Sequence, residues 1–309
     1  MVNRKTNFLP SLDNWMGSIV GLAIGDQLGC LVEGKSRGTF DRVRGMLDGS
    51  FWTDDTSQAL CLADSLISTG KFDINDQLQR YSKWLFEGYL SSREWAYGCG
   101  PTARLAITDF RNSGSPKPVK NQETNGALMR LAPVTLFYCD DLEEAIKKSG
   151  ESATATHDNP VCIDACRLYG SMIAKSVQGE GKESVLNYEA ALWSNEPLEN
   201  SIDRVARGSY KDKEPPDIKG TLNITDSIEA AIWSFDRSSS FGEGALKAVN
   251  LGDDTDTTAA IYGQLAGAHY GYEGIPYSWK SKLVDRGLVE YIAVSYTHLR
   301  AHETDSYLV

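Results

Sequence analysis

Thr53-Asp54-Asp55-Thr56 sets two adjacent carboxylates between two hydroxyls, directly after Phe51-Trp52 and at the start of an amphipathic run. Far along the chain, Gly252-Asp253-Asp254-Thr255-Asp256-Thr257 repeats the same chemistry and again opens a helical pattern. Such hard oxygen donors suit Mg²⁺ or Mn²⁺, whereas zinc favours histidine and cysteine. One acid at a helix start needs no metal, because unpaired N–H groups and the helix dipole welcome it. Asp-Asp and Asp-x-Asp go beyond a cap, since like charges so close repel unless a cation lies between them. The two turns therefore read as halves of one divalent-metal site. Their side chains offer enough oxygens for two ions that share a water.

Bringing the turns together is a task for helices. Leu12 to Gly29 has helical spacing, with Ser11 or Asp13 as cap. Gly17, Gly21 and Gly25 recur along it every fourth residue. Each glycine costs a helix about 1 kcal/mol relative to alanine, so a second helix is expected to pack tightly against that bare stripe. The apolar stretch is too short, and too closely bracketed by Asp13, Asn14 and Asp26, for a membrane pair. Further helices are expected over Ser57–Ser68, Asn75–Tyr89, a short run from Asp141 to Gly150, and a long run opened by Asn159-Pro160. Val185–Trp193, Leu198–Ala206, Ser227–Phe235, Phe241–Asn250, Thr257–Tyr270 and Trp279–Val294 complete the set. Arg111 to Thr124 reads as a loop, and Tyr210 to Leu222, with Pro215-Pro216, as a surface loop or lid. Almost nothing alternates with a period of two. The expected fold is all-α, a single-domain orthogonal multi-helix bundle over residues 1–294, because both acidic turns must meet in one body.

The 309 residues carry a net charge of −11, which disfavours direct binding to nucleic-acid phosphate. No apolar run spans a bilayer and no signal-peptide core is visible, so a cytoplasmic, monomeric protein is expected. The six cysteines (Cys30, Cys61, Cys99, Cys139, Cys162, Cys166) lack CxxC spacing and read as buried, reduced thiols. Residues 295–309, including His298 and His302, lack apolar periodicity and resemble translated sequencing-adapter read-through, so they are set aside as a non-native or disordered tail.

The chain resembles the ADP-ribosylglycohydrolases, the group of dinitrogenase-reductase-activating glycohydrolase and the ADP-ribosyl hydrolases, from about Met16 to about Tyr272. Gly21-Leu22-Ala23-Ile24-Gly25-Asp26-Gln27-Leu28-Gly29 followed by Glu33 is similar to the family's opening motif. Trp52-Thr53-Asp54-Asp55-Thr56 and Leu251-Gly252-Asp253-Asp254-Thr255-Asp256-Thr257 match its two metal motifs, with Asn125-Gly126-Ala127-Leu128-Met129-Arg130 and Thr156-His157 in order between them. The resemblance implies an all-α fold and two divalent cations, Mg²⁺ or Mn²⁺, held by Thr53, Asp54, Asp55, Asp254, Asp256 and Thr257. It implies hydrolysis at the anomeric ribose carbon of an ADP-ribosyl group on a protein side chain or small acceptor. Glu33 would be the general acid/base, with Asp55 sharing that duty. Asn125, Gly126, Ala127 and Met129 would line the substrate, with backbone N–H groups at 125–127 facing the diphosphate. His157 would reach phosphate or ribose, and His269 is expected to be structural.

Three positions depart from the pattern. Asp253 stands where a second glycine is usual. Gly98 stands where arginine-directed members tend to have an acid, and Asn223 where several place a tyrosine that stacks on adenine. The competing reading is a non-catalytic relative, either an ADP-ribose-binding module or a crystallin-like structural protein. Phosphatase or nucleotidase action finds no phosphate motif such as a P-loop.

Overall fold

The computed structural model describes residues 11–295, and they fold as helices joined by turns. In chain order these are α1 (Leu12–Gly29), α2 (Asp54–Thr69), α3 (Ile74–Glu87), α4 (Pro101–Ser113), α5 (Ala132–Phe137), α6 (Leu142–Ala153) and α7 (Pro160–Val177). Then follow α8 (Lys182–Val185), α9 (Asn200–Ala206), α10 (Ile224–Asp236), α11 (Phe241–Val249), α12 (Thr255–Tyr270), α13 (Tyr277–Lys280) and α14 (286–295). Strand is confined, among the described residues, to β1 (Val119–Lys120) paired in parallel with β2 (His157–Asp158). The all-α expectation holds.

The glycine stripe of α1 finds its partner in α12. A Cβ added to Gly25 would sit 2.8 Å from the Ala260 nitrogen, and one on Gly263 would sit 2.6 Å from the Gly21 carbonyl carbon. At the end of the seam, a Cβ on Gly29 would lie 2.5 Å from the Thr255 carbonyl carbon. Backbone therefore lies directly on backbone, and both helices are buried along most of their length. A helix packed on all sides needs no amphipathic stripe, which is why α12 follows no single apolar face. Around this pair, helices from both halves of the chain share one contiguous apolar core. A smaller cluster of Cys61, Leu78, Tyr81, Trp84, Ala103, Ile107 and Ala155 sits among α2, α3 and α4.

Several boundaries differ from expectation for identifiable reasons. Helix α2 begins at Asp54 and not Ser57, so the first acidic turn belongs to the helix itself. Helix α4 falls where no helix was expected. Its N-cap is Gly100, with no side-chain cap bond, and Leu105 on it is 51% exposed, so the usual start signal and apolar face are weak. Pro101 at its first turn and Gly114, at φ 69° after its end, are the signals that remain. The run expected over 185–193 breaks into α8 and a 3-10 turn at Ala190–Trp193. The run over 279–294 divides at Ser281–Asp285, where Asp285 takes a positive φ of 47°. Ser11 makes no side-chain cap bond, and Asp13 instead accepts the Glu273 backbone N–H at 3.0 Å. Residues 210–222 form a helix-free segment, as expected. Residues 296–309 lie outside the described residues. No described helix is long and apolar enough to cross a membrane.

Candidate active site

The α1–α12 seam carries the second acidic turn onto the first. Thr257 Oγ1 donates to Asp55 Oδ2 at 3.5 Å, and Thr53 Oγ1 lies 3.3 Å from the same oxygen. Carboxylate oxygens of Asp26, Asp55 and Asp256 lie within 4.8 Å of one another, as do those of Glu33, Asp254 and Asp256. These are the only such groups among the described residues, and Asp256 belongs to both.

Asp26, near the end of α1, was not among the expected site residues, yet it organises the first turn. Its fully buried carboxylate accepts the backbone N–H of Thr53 at 2.9 Å and of Thr56 at 3.0 Å, and the Thr56 hydroxyl at 2.6 Å. It thus caps α2 from another helix, satisfying N–H groups that a helix start leaves open. The sequence signal was an acid within the glycine stripe, but spacing alone could not name its remote partners.

Asp54 stands outside both carboxylate groups. Its Oδ2 accepts from Gln58 Nε2 at 3.3 Å, and a Cβ at Gly98 would lie 2.5 Å from its Oδ1. Gly98 at φ 87° therefore leaves this acid bare on one side. Asp254 is aimed by Asn125, whose side-chain nitrogen donates to its Oδ2 at 2.6 Å and to Ser227 Oγ at 2.9 Å. Asp253 adopts φ 61°, its N–H bonding the Lys35 carbonyl at 2.8 Å while its own carbonyl accepts from Gly34 at 2.7 Å. This pins the exposed turn that carries Glu33 to the second acidic turn.

The substrate-side residues form a 3-10 turn at Asn125–Ala127. The Asn125 N–H is occupied by the Leu222 carbonyl at 3.1 Å, so its contribution here is the side chain on Asp254. Ala127 and Met129 are buried in the core. His157 is fully buried, with Nδ1 against Thr156 Oγ1 and Nε2 against Thr124 Oγ1, each at 2.8 Å. It stands behind Gly126, whose added Cβ would be 3.4 Å from His157 Cε1. Burial, then the charge of Arg130, lowers its pKa to about 3, so it is neutral at physiological pH. Asn223 caps α10 by accepting from Thr225 and Asp226. His269 packs edge-on to Phe235, in keeping with a structural role. The cysteines are free; Cys61, Cys139, Cys162 and Cys166 are buried as expected, whereas Cys30 and Cys99 are only half-buried.

Electrostatically the centre is strained by its own charge. Burial raises Asp54, Asp55 and Asp256 well above the ordinary carboxylate range, and neighbouring acids push each further. Asp26 rises to about 6 by burial, against its threonine hydrogen bonds. Glu33 is raised by desolvation and by the charge of Asp254. Asp55 Oδ1 is buried with no hydrogen-bond partner. An all-oxygen donor set, mutual repulsion and an unpartnered carboxylate oxygen together fit hard divalent cations.

The chain matches the ADP-ribosylglycohydrolase family model over residues 9–305. It is 33% identical over 302 residues to "ADP-ribosylarginine hydrolase Tri1" of Serratia proteamaculans, covering 95% of this chain and 81% of that one. It is 30% identical over 287 residues to "ADP-ribosyl-[dinitrogen reductase] glycohydrolase" of Rhodospirillum rubrum, covering 88% and 90%. A solved structure described as "ADP-ribosylglycohydrolase-related protein complex" superposes with a TM-score of 0.82 at 36% identity, covering 93% of this chain and 98% of that one. With two oxygen-rich turns joined by a glycine seam and these matches along its length, the chain belongs to the ADP-ribosylglycohydrolase family of hydrolases.

Proposed function

We propose that the chain releases ADP-ribose from ADP-ribosylated arginine by metal-dependent hydrolysis at the anomeric ribose carbon. The reading rests above all on the meeting of Asp55 in the first turn with Asp256 and Thr257 in the second, around the unpartnered Asp55 Oδ1. The acceptor is taken from the relatives named as ADP-ribosylarginine hydrolases. Thr53, Asp54, Asp55, Asp254, Asp256 and Thr257 would hold two divalent cations. Bound there, Mg²⁺ or Mn²⁺ would polarise ribose hydroxyls and make a water a better nucleophile at neutral pH.

The chain's own groups supply the rest. Glu33 sits beside Asp254 and Asp256 on a turn open to solvent, where it would carry a proton to the departing nitrogen. Asp55, buried at the centre with one carboxylate oxygen unpartnered, would share the proton transfer by accepting from the attacking water. Asn125 fixes Asp254 through its amide. Gly126 keeps the wall beside it free of side chain, with His157 bracing that wall from inside.

The test is incubation of purified protein with ADP-ribosylated arginine, ADP-ribosylated serine and O-acetyl-ADP-ribose, each with and without EDTA. The expected result is turnover of the arginine conjugate that EDTA abolishes and Mg²⁺ or Mn²⁺ restores. Turnover indifferent to EDTA would remove the metal from the mechanism. Absence of turnover with all three substrates would remove the hydrolase.

A further inference from the structure

We infer that Arg130 is a positioning residue that acts on Asp54 through Gln58, an inference that rests on the metal centre proposed above. Arg130 is 0% exposed. Its guanidinium is held by neutral groups. Nη1 donates to Gln58 Oε1, Nη2 donates to Thr156 Oγ1 at 2.6 Å, and the Tyr81 ring lies 4.7 Å from its central carbon. Its Nε is buried with no hydrogen-bond partner. A buried charge held this way costs stability, and an apolar side chain of similar volume would pack at lower cost. Nothing in the packing calls for a cation here, whereas the acidic centre two hydrogen bonds away does.

The geometry shows how the cation reaches that centre. Arginine carries only donors. Gln58, itself fully buried, must therefore turn its carbonyl oxygen toward Arg130 and its amide nitrogen toward Asp54 Oδ2 at 3.3 Å. With an apolar residue at 130 nothing holds the amide oxygen, and the donor to Asp54 is no longer fixed in place. Arg130 thus makes a neutral side chain into a fixed donor and holds the Asp54 carboxyl in one orientation. Its second arm reaches the opposite wall. Donation to Thr156 Oγ1 leaves the threonine hydrogen for His157 Nδ1, which directs the Nε2–H of His157 to Thr124 Oγ1. One buried guanidinium therefore sets both the Asp54 side of the centre and the support behind Gly126.

Outer-shell partners of metal ligands typically carry 10–100-fold in metal affinity. The test is Mn²⁺ titration, followed by electron paramagnetic resonance, of chelator-treated wild type, Arg130→Met, Arg130→Lys and Gln58→Glu, each checked for fold by circular dichroism. Gln58→Glu keeps the shape and gives Arg130 an ionic partner, so it folds, but it removes the donor to Asp54. On this account it binds Mn²⁺ about tenfold more weakly or worse. Arg130→Met loses at least as much, and Arg130→Lys, still donor-only, recovers most of that loss. Should Arg130→Met not fold, Gln58→Glu decides alone. If wild type takes up no Mn²⁺, the metal centre falls and the positioning role falls with it. If wild type binds while folded Gln58→Glu binds as tightly or more tightly, the positioning role alone is overturned.

Discussion

Asp256→Asn is expected to lower turnover by about a hundredfold to a thousandfold while raising the melting temperature of the chelator-treated protein. The loss follows because Asp256 is the one carboxylate common to both acidic groups. The gain follows from linkage. Asp54, Asp55 and Asp256 have folded-state pKa values well above their ordinary ones, with burial as the first cause and neighbouring acids as the second. Asp26 stands at about 6. A group raised on folding binds its proton more tightly in the fold than in the unfolded chain. Its stabilising contribution is present below the ordinary acid pKa and is lost as pH rises through the folded value. Metal-free wild type should therefore melt lower at pH 8 than at pH 5.5, Mg²⁺ should close most of that gap, and Asp256→Asn should narrow it without metal. Calorimetric melts at both pH values check this. A metal-free melting temperature that rises toward pH 8, or a variant with near-native turnover, contradicts it.

The second large effect is structural. Gly263→Ala should destabilise the protein by about 3 kcal/mol or more, because its methyl group meets backbone that cannot rotate away. The added Cβ would lie 2.6 Å from the Gly21 carbonyl carbon and nearer still to its oxygen. For a chain of this size that corresponds to a fall of about 4 °C or more in melting temperature. Gly181→Ala serves as control, since nothing lies within 4 Å of its added Cβ and its φ is −67°. It should change stability by no more than about 0.5 kcal/mol. Equal melting temperatures for the two variants would mean that the helices do not meet backbone to backbone. The seam also governs the site, because it sets Asp26 on α1 against Asp256 on α12.

That seam marks how far the sequence could be read. Glycines at every fourth position of α1 predict a close helix partner, and repeated acid-and-threonine turns predict that the two turns meet, though neither signal names α12 as the partner of α1. Both expectations follow from local chemistry. Asp26 and Arg130 escaped because their roles lie in remote partners. A buried aspartate capping another helix, or an arginine two hydrogen bonds from a carboxylate, has no period or spacing of its own. His157 and Asn125 show the same limit. Their place beside the site was legible, but the fold turns the histidine inward onto threonines and the asparagine onto Asp254. Helix α4 was missed for a local reason, since a glycine start and an exposed leucine erase the usual marks of an amphipathic helix.

The most direct test of the account is an anomalous-difference map from crystals grown with Mn²⁺. Two peaks between the Thr53–Thr56 and Asp254–Thr257 turns, each within bonding distance of carboxylate oxygens from both, are the predicted result. A map with that space empty at saturating Mn²⁺, or with manganese bound only elsewhere, would contradict it.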